Sequence, residues 1–261
     1  MTNSYEDIIV ATVDGVATIT INRPQVLNAV RAQTVEELIE AISSAGWERS
    51  VGVIVLTGAG KAFCSGGDQK THKGSYGQRG AIGLPMEELQ SIIRDVPKPV
   101  IARVQGYAIG AGNVLATLCD LTIASESAVL GQVGPKVGSV DPGFGTAYLA
   151  RVVGEKKARE LWYLCRRYTA RQALEMGLVN AVVPDDELDA EVASWCAQIL
   201  ENSPSAIAIA KRSFNADTES IRGISLMGMQ TLAYYYDTAE SREGVSAFLE
   251  KRKPRFRDVM K

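Results

Sequence analysis

The chain has 261 residues, 46% of them hydrophobic and 22% charged, with a formal net charge of -2. That length suits one large domain or a domain with a smaller appendage, and the composition excludes a disordered or fibrous protein. So even a charge balance offers no general attraction to nucleic acid or to an anionic membrane surface.

The first 13 residues alternate polar and apolar side chains, without the basic segment, apolar run and cleavage site of a signal peptide. Residues 8–13 (IIVATV) and 16–22 (VATITIN) are β-branched runs joined by Asp14-Gly15, a pair suited to a type I′ turn, so a β-hairpin is expected. From Thr34 the apolar residues Val35, Leu38, Ile39 and Ile42 recur at helical spacing. Thr34 and Glu37 are expected to form a capping box, and Gly46 to stop the helix. Buried strands are expected at Val51 to Leu56, Val100 to Val104 and Leu121 to Ala124, with helices between them at Met86 to Asp95 and Val114 to Leu118. Strands alternating with helices of this length imply parallel crossovers, hence an α/β domain over the first two-thirds. After about residue 185 only helices are expected. Leu188, Val192, Cys196 and Ile199 mark one amphipathic face, and further helices follow Ser203-Pro204 and Glu219.

No 18-residue apolar stretch suggests a membrane span. The four cysteines, Cys64, Cys119, Cys165 and Cys196, are widely spaced with no CxxC pair, so free thiols in a reducing cytoplasm are expected. His72 is the only histidine and has no neighbouring cysteine or imidazole, so no metal site is expected. The terminal KRKPRFR (251–257) reads first as a solvated tail and otherwise as a nucleic-acid patch or an anion site. Two glycine-containing segments, at 63–70 and 106–113, can present bare backbone amides, the second directly ahead of a helix. Neither fits a nucleotide-phosphate motif.

With FCSGGDQ at 63–69, GYAIGAGNVLATLCDLTIAS at 106–125 and GQVGPKVGSVDPGFGTAYLARVVGEKKARELW at 131–162, the chain resembles the crotonase superfamily over nearly its whole length. The resemblance implies an α/β spiral of repeated strand-strand-helix turns over residues 1–200. It also implies a C-terminal helical oligomerisation region over 201–261 that builds trimers, often paired into hexamers. The substrate would be a coenzyme A thioester, its oxygen held between the amides of Gly67 and Ala111 as an oxyanion hole. The two hydratase glutamates have their counterparts at Val114 and Gly134, so simple enoyl-CoA hydration is not expected. Ser139 and Asp141, two apart in an extended stretch, can face one pocket. Asp141 can equally cap a helix after Pro142-Gly143.

SGGDQ, GQxGPKxGSxD and the later YxTxExxEG (236–244) resemble two branches of that superfamily, 2-ketocyclohexanecarboxyl-CoA hydrolases and 1,4-dihydroxy-2-naphthoyl-CoA synthases. The stretches VPKPVIARVQGYAIG and FLEKRKPRFR resemble the hydrolases more closely, and the place where the synthases have a tyrosine falls near Gln78 and Arg79, which Tyr76 fits poorly. The expected reaction is therefore hydrolytic ring cleavage of a cyclic β-keto acyl-CoA, as from 2-ketocyclohexanecarboxyl-CoA to pimeloyl-CoA. Asp141, helped by Ser139, would be the base and Tyr236 would hydrogen-bond the ketone. The resemblance also sets Arg31, Lys70 and Lys251 along the coenzyme A phosphates. No cofactor is expected beyond the coenzyme A of the substrate. The alternative is a ring-closing synthase, for which Gln132 and Gly134 match residues that hold a bicarbonate. A noncatalytic RNA-binding relative is a third, disfavoured reading. Nucleic-acid and membrane partners are not expected.

Overall fold

The computed structural model describes residues 5–70 and 79–260. β1 (Ile8–Val13) and β2 (Val16–Ile21) form the expected antiparallel hairpin, with Val13 opposite Val16. Asp14 and Gly15 have φ of 48° and 81°, the left-handed pair that a type I′ turn requires.

α1 (Ala32–Trp47) corrects the expected cap and stop. Arg31 precedes the helix, and Thr34 lies inside its first turn, where its hydroxyl accepts from the Arg31 N–H at 3.2 Å. Glu37 reaches instead to the chain ahead of β1, accepting from the N–H groups of Glu6 and Asp7 at 2.8 Å each. Those amides lie outside any strand pairing, so the carboxylate finds better donors there than at its own helix start. Gly46 lies within the last turn. A β-carbon there would come 2.3 Å from a Val96 methyl, so this glycine serves close packing.

The chain then runs through β3 (Val53–Gly58), β4 (Ala62–Cys64) and α2 (Met86–Asp95), and through β5 (Val100–Val104), β6 (Tyr107–Ile109) and α3 (Ala111–Leu118). A third passage takes β7 (Leu121–Ser125) and β8 (Val129–Gly131) to α4 (Leu149–Val153), α5 (Glu155–Leu164), β9 (Arg167–Thr169), α6 (Ala170–Glu175) and β10 (Ala181–Val183). The strand-strand-helix spiral is thus present. One sheet has the order β1-β2-β3-β5-β7-β10, parallel from β2 onward, and the other the order β4-β6-β8-β9.

The first sheet is apolar on both faces, as a parallel sheet covered by helices must be. Ile54 and Leu56 of β3 enter the main core with α1 and α2. Val53 and Val55, pointing the other way, join Ile101 and Ile123 beneath Leu188, Val192 and Cys196 of α7 (Leu188–Leu200). α8 (Pro204–Ala216) starts at Ser203, whose side chain accepts from the Ala206 N–H. It is pinned by buried Lys211, whose Nζ donates to the Ile93 carbonyl at 2.8 Å, the Lys98 carbonyl at 2.9 Å and the Asp120 carboxylate at 2.7 Å. Three partners for three donors offset the cost of burying that ammonium. α9 (Ser220–Tyr236) packs against α2, and α10 (Ala239–Leu249) follows it. Among the described residues no helix is long and apolar enough to cross a membrane.

Candidate active site

The two glycine-containing segments meet at the ends of β4 and β6. Val30 forms a parallel bridge to Gly67: its N–H donates to the Gly66 carbonyl at 2.9 Å and its carbonyl accepts from the Asp68 N–H at 2.8 Å. In such a bridge the middle residue turns its own N–H to the opposite side. A β-carbon on Gly67 would meet nothing within 4 Å, so there is open space beside this residue. Ala111 is the first residue of α3, where an N–H has no partner inside the helix. The α3 start lies hard against β4, for a β-carbon on Gly112 would fall 2.1 Å from the Cys64 carbonyl oxygen. Cys64 is fully buried, and burial pushes its thiol up to about 12, so it is no nucleophile.

Gly67 and Ala111 both border a cavity of about 120 Å³, which Ser139, Asp141, Tyr236, Gln132 and Gly134 also line. Tyr236, at the end of α9, reaches it within the same chain, and its hydroxyl lies 2.8 Å from Ser139 Oγ. Asp141 accepts from the Gly145 N–H at 3.1 Å and from Gln90 Nε2 at 2.9 Å and 3.2 Å. The residue faces the cavity, and its carboxylate bonds an N–H in the first turn of the π-helical segment Phe144–Tyr148, although the N-cap of that turn is Gly143 and not Asp141. Burial pushes its carboxyl up to about 7, against the opposing bonds from Gln90 and Gly145. Burial, with the neighbouring Asp141 charge, pushes Tyr236 up to about 12 although the Ser139 bond opposes it. A tyrosine so held stays a neutral hydrogen-bond donor.

The remaining wall is apolar. Ile82 and Leu84, from the loop at 80–85, stand beside Met86 at the start of α2, with Met229 and Leu232 of α9 and Phe248 of α10. Val114 is buried in the core, whereas Gly134 lines the cavity. A β-carbon on Gly134 would lie 2.6 Å from the Ser139 carbonyl oxygen and 2.8 Å from the Trp162 ring, so this backbone has no room for a glutamate. Gln132 is 3% exposed, and neither end of its carboxamide has a partner among the described residues.

The three cations lie apart from this group. Arg31 donates to both Asp7 oxygens at 2.8 Å and pairs with Glu6, so its charge is already countered. Lys70 sits exposed just past Asp68, and Lys251 is exposed just past α10 with φ of 55°. His72, Tyr76 and Gln78 lie outside the described residues. Gln90 and Ser225 were not anticipated. Gln90 does leave a trace in the sequence, as a polar residue at helical spacing among Met86, Leu89 and Ile93 on the face that α2 buries.

The model of the family described as enoyl-CoA hydratase/isomerase matches residues 11–259. A crystal structure of an enoyl-CoA hydratase from Mycobacterium avium subsp. paratuberculosis K-10 is 32% identical, covers 97% of this chain and 99% of its own, and superposes with a TM-score of 0.87. An enoyl-CoA hydratase/carnithine racemase from Magnetospirillum magneticum is 33% identical over 97% of this chain and 96% of its own, with a TM-score of 0.77. The enoyl-CoA hydratase/isomerase of Pseudoalteromonas atlantica T6c is 27% identical over 96% and 99% of the two chains, with a TM-score of 0.86.

Proposed function

The chain belongs to the enoyl-CoA hydratase/isomerase family of the crotonase superfamily, acting on acyl-CoA thioesters, and from that premise we infer that it opens a cyclic β-keto acyl-CoA by carbon–carbon hydrolysis. The observation that carries this reading is the pairing of a near-neutral carboxyl, Asp141, with Ser139 and Tyr236 across one cavity from the Gly67 and Ala111 amides. The hydratase carboxylate positions hold Val114 and Gly134, neither of which can move a proton.

In this mechanism the thioester oxygen sits between the two amides and Tyr236 donates to the ring ketone. Asp141 takes a proton from water as its oxygen attacks the ketone carbon; a base near pH 7 is well matched to that task. The adduct then breaks its bond to the α-carbon. The electron pair passes into the thioester, forming an enolate whose oxygen the amides stabilise, an effect worth about 3 to 4 kcal/mol per donor. Returning the proton from Asp141 to the α-carbon closes the balance and leaves a linear dicarboxylic mono-thioester. Arg31, Lys70 and Lys251 remain the candidates for the coenzyme A phosphates, Arg31 only by exchanging its carboxylate partners. The exposed apolar side chains Ile209, Phe214, Met227 and Tyr234 on α8 and α9 support self-association, and a homotrimer or a dimer of trimers is the form proposed for it.

A second reading, ring closure by a 1,4-dihydroxy-2-naphthoyl-CoA synthase, is favoured by one observation. The unpartnered Gln132 carboxamide, beside Gly134, fits a small oxoanion. Bicarbonate bound there would supply a base. One assay separates the readings: the protein is incubated with 2-ketocyclohexanecarboxyl-CoA in oxygen-18 water and, separately, with o-succinylbenzoyl-CoA. Hydrolysis gives pimeloyl-CoA labelled in its free carboxylate, whereas release of free coenzyme A indicates thioesterase chemistry. A dihydroxynaphthoyl thioester from the second substrate, with the first left intact, assigns the synthase. Salt-dependent RNA binding without turnover of either would support the noncatalytic reading.

A further inference from the structure

Gln90 has none of its surface exposed and lies on the face that α2 buries. A carboxamide so buried is tolerated only when its ends are bonded. Its Nε2 donates to Asp141 Oδ2 at 2.9 Å and to Oδ1 at 3.2 Å, and its Oε1 accepts from the Ser225 hydroxyl at 3.2 Å. Ser225 is itself buried, on the helix that also delivers Tyr236. One end of a carboxamide only donates and the other only accepts, so its sense depends on the protonation of the group it faces. Toward a carboxylate the NH2 must point; toward a carboxylic acid the inverted amide offers its oxygen to the acid proton. A hydroxyl both donates and accepts, so Ser225 satisfies Gln90 in either sense.

We propose that Gln90 is the positioning residue of Asp141, an invertible carboxamide backed by Ser225 that keeps Asp141 hydrogen-bonded both as a carboxylate and as the acid it becomes on accepting a proton. Two other groups bear on this carboxyl, and the cation on α2 is engaged elsewhere. The Gly145 N–H donates to it whatever its charge, and Tyr236 faces it from α9 as a neutral phenol. Arg94, one turn along α2, is held over the Phe144 and Tyr148 rings at 5.3 Å and 4.9 Å and donates to Thr218. Bonds to the charged form are the stronger ones, so losing Gln90 raises the carboxyl pKa further.

The role in turnover rests on Asp141 being the base, but the titration itself does not, and the two are separable. In the full-length protein the Asp141 carboxyl band is followed by infrared difference spectroscopy against pH, with Asp141→Asn identifying the band. Gln90→Met, which keeps length and burial, is expected to raise the midpoint by about one unit or more, and the acid limb of the kcat profile moves with it. Ser225→Ala removes the hydroxyl whose bond to Gln90 Oε1 polarises the carboxamide and strengthens its NH2 as a donor to the carboxylate, the form whose bonds are the stronger, and is expected to raise the midpoint by about half a unit. An unchanged midpoint in Gln90→Met overturns the proposal; should that variant fail to fold, an unchanged midpoint in Ser225→Ala does so. If Asp141→Asn keeps full ring cleavage while Gln90→Met moves the band, the proposed reaction falls and the positioning role stands.

Discussion

Ser139 Oγ and Tyr236 Oη lie 2.8 Å apart although 97 residues separate them, so the end of α9 closes on the loop that carries Asp141. The two hydroxyls meet at the cavity wall, and either can donate. Because each partly satisfies the other, the losses in Ser139→Ala and Tyr236→Phe should not add. A double-mutant cycle on kcat/KM for ring cleavage should give a coupling of about 0.5 to 3 kcal/mol. Simple additivity would show that the pair does not act as a unit.

Asp141→Asn keeps the shape of the side chain and an oxygen for the Gly145 and Gln90 donors but cannot take a proton. Ring cleavage should fall by at least about a hundredfold while acyl-CoA affinity is retained. Single-turnover rates and equilibrium binding of a substrate analogue check both halves; undiminished turnover would remove Asp141 from the mechanism.

The same substitution has a consequence for stability. The Asp141 carboxyl is raised to about 7 in the folded chain from an ordinary value of 3.8. Its stabilising contribution is therefore full below about pH 4 and is lost as pH rises through the folded value near 7. Asp141→Asn should gain stability relative to the wild type between pH 4 and pH 8, by something on the order of 1 to 4 kcal/mol. Urea denaturation at the two pH values measures the difference, and an equal offset at both would contradict the burial of an ionisable carboxyl.

Ala111→Pro tests the backbone donor directly. Proline is well tolerated as the first residue of a helix, and Gly110 ahead of it has no β-carbon to strike the ring. The variant should fold, bind acyl-CoA and lose about 100- to 1000-fold in kcat. A folded, fully active protein would mean that the Ala111 amide is not an oxyanion donor.

α10 fixes the loop that precedes Ser139. A β-carbon on Gly244 would fall 2.3 Å from the Gly138 nitrogen, and the Ser241 hydroxyl donates to the Gly138 carbonyl at 2.7 Å. Gly244→Ala should therefore destabilise the fold by about 1 to 3 kcal/mol, read as a lower urea midpoint, and should lower kcat by displacing Ser139.

Local chemistry was enough for the elements whose signal lies within a few residues. Asp14-Gly15 specified the hairpin because few residue pairs accept two left-handed conformations, and the apolar runs at 53–56 and 100–104 specified buried parallel strands because both of their faces had to be covered. The roles expected of Gly67, Ala111 and Asp141 could be read only from the resemblance of the motifs around them to the crotonase superfamily. The strands β4, β6, β8 and β9 could not be, since three residues are too few to express a period of two. Glu37 misled because a carboxylate near a helix start bonds whichever unpaired amide is nearest in space, and those of Glu6 and Asp7 are supplied by a distant segment. The Asp141–Gln90–Ser225 chain and the Ser139–Tyr236 pair were settled only by packing α2 and α9 against the loop at 138–145. A buried polar side chain takes its partners from the tertiary fold, and these partners lie 51, 135 and 97 residues away along the chain.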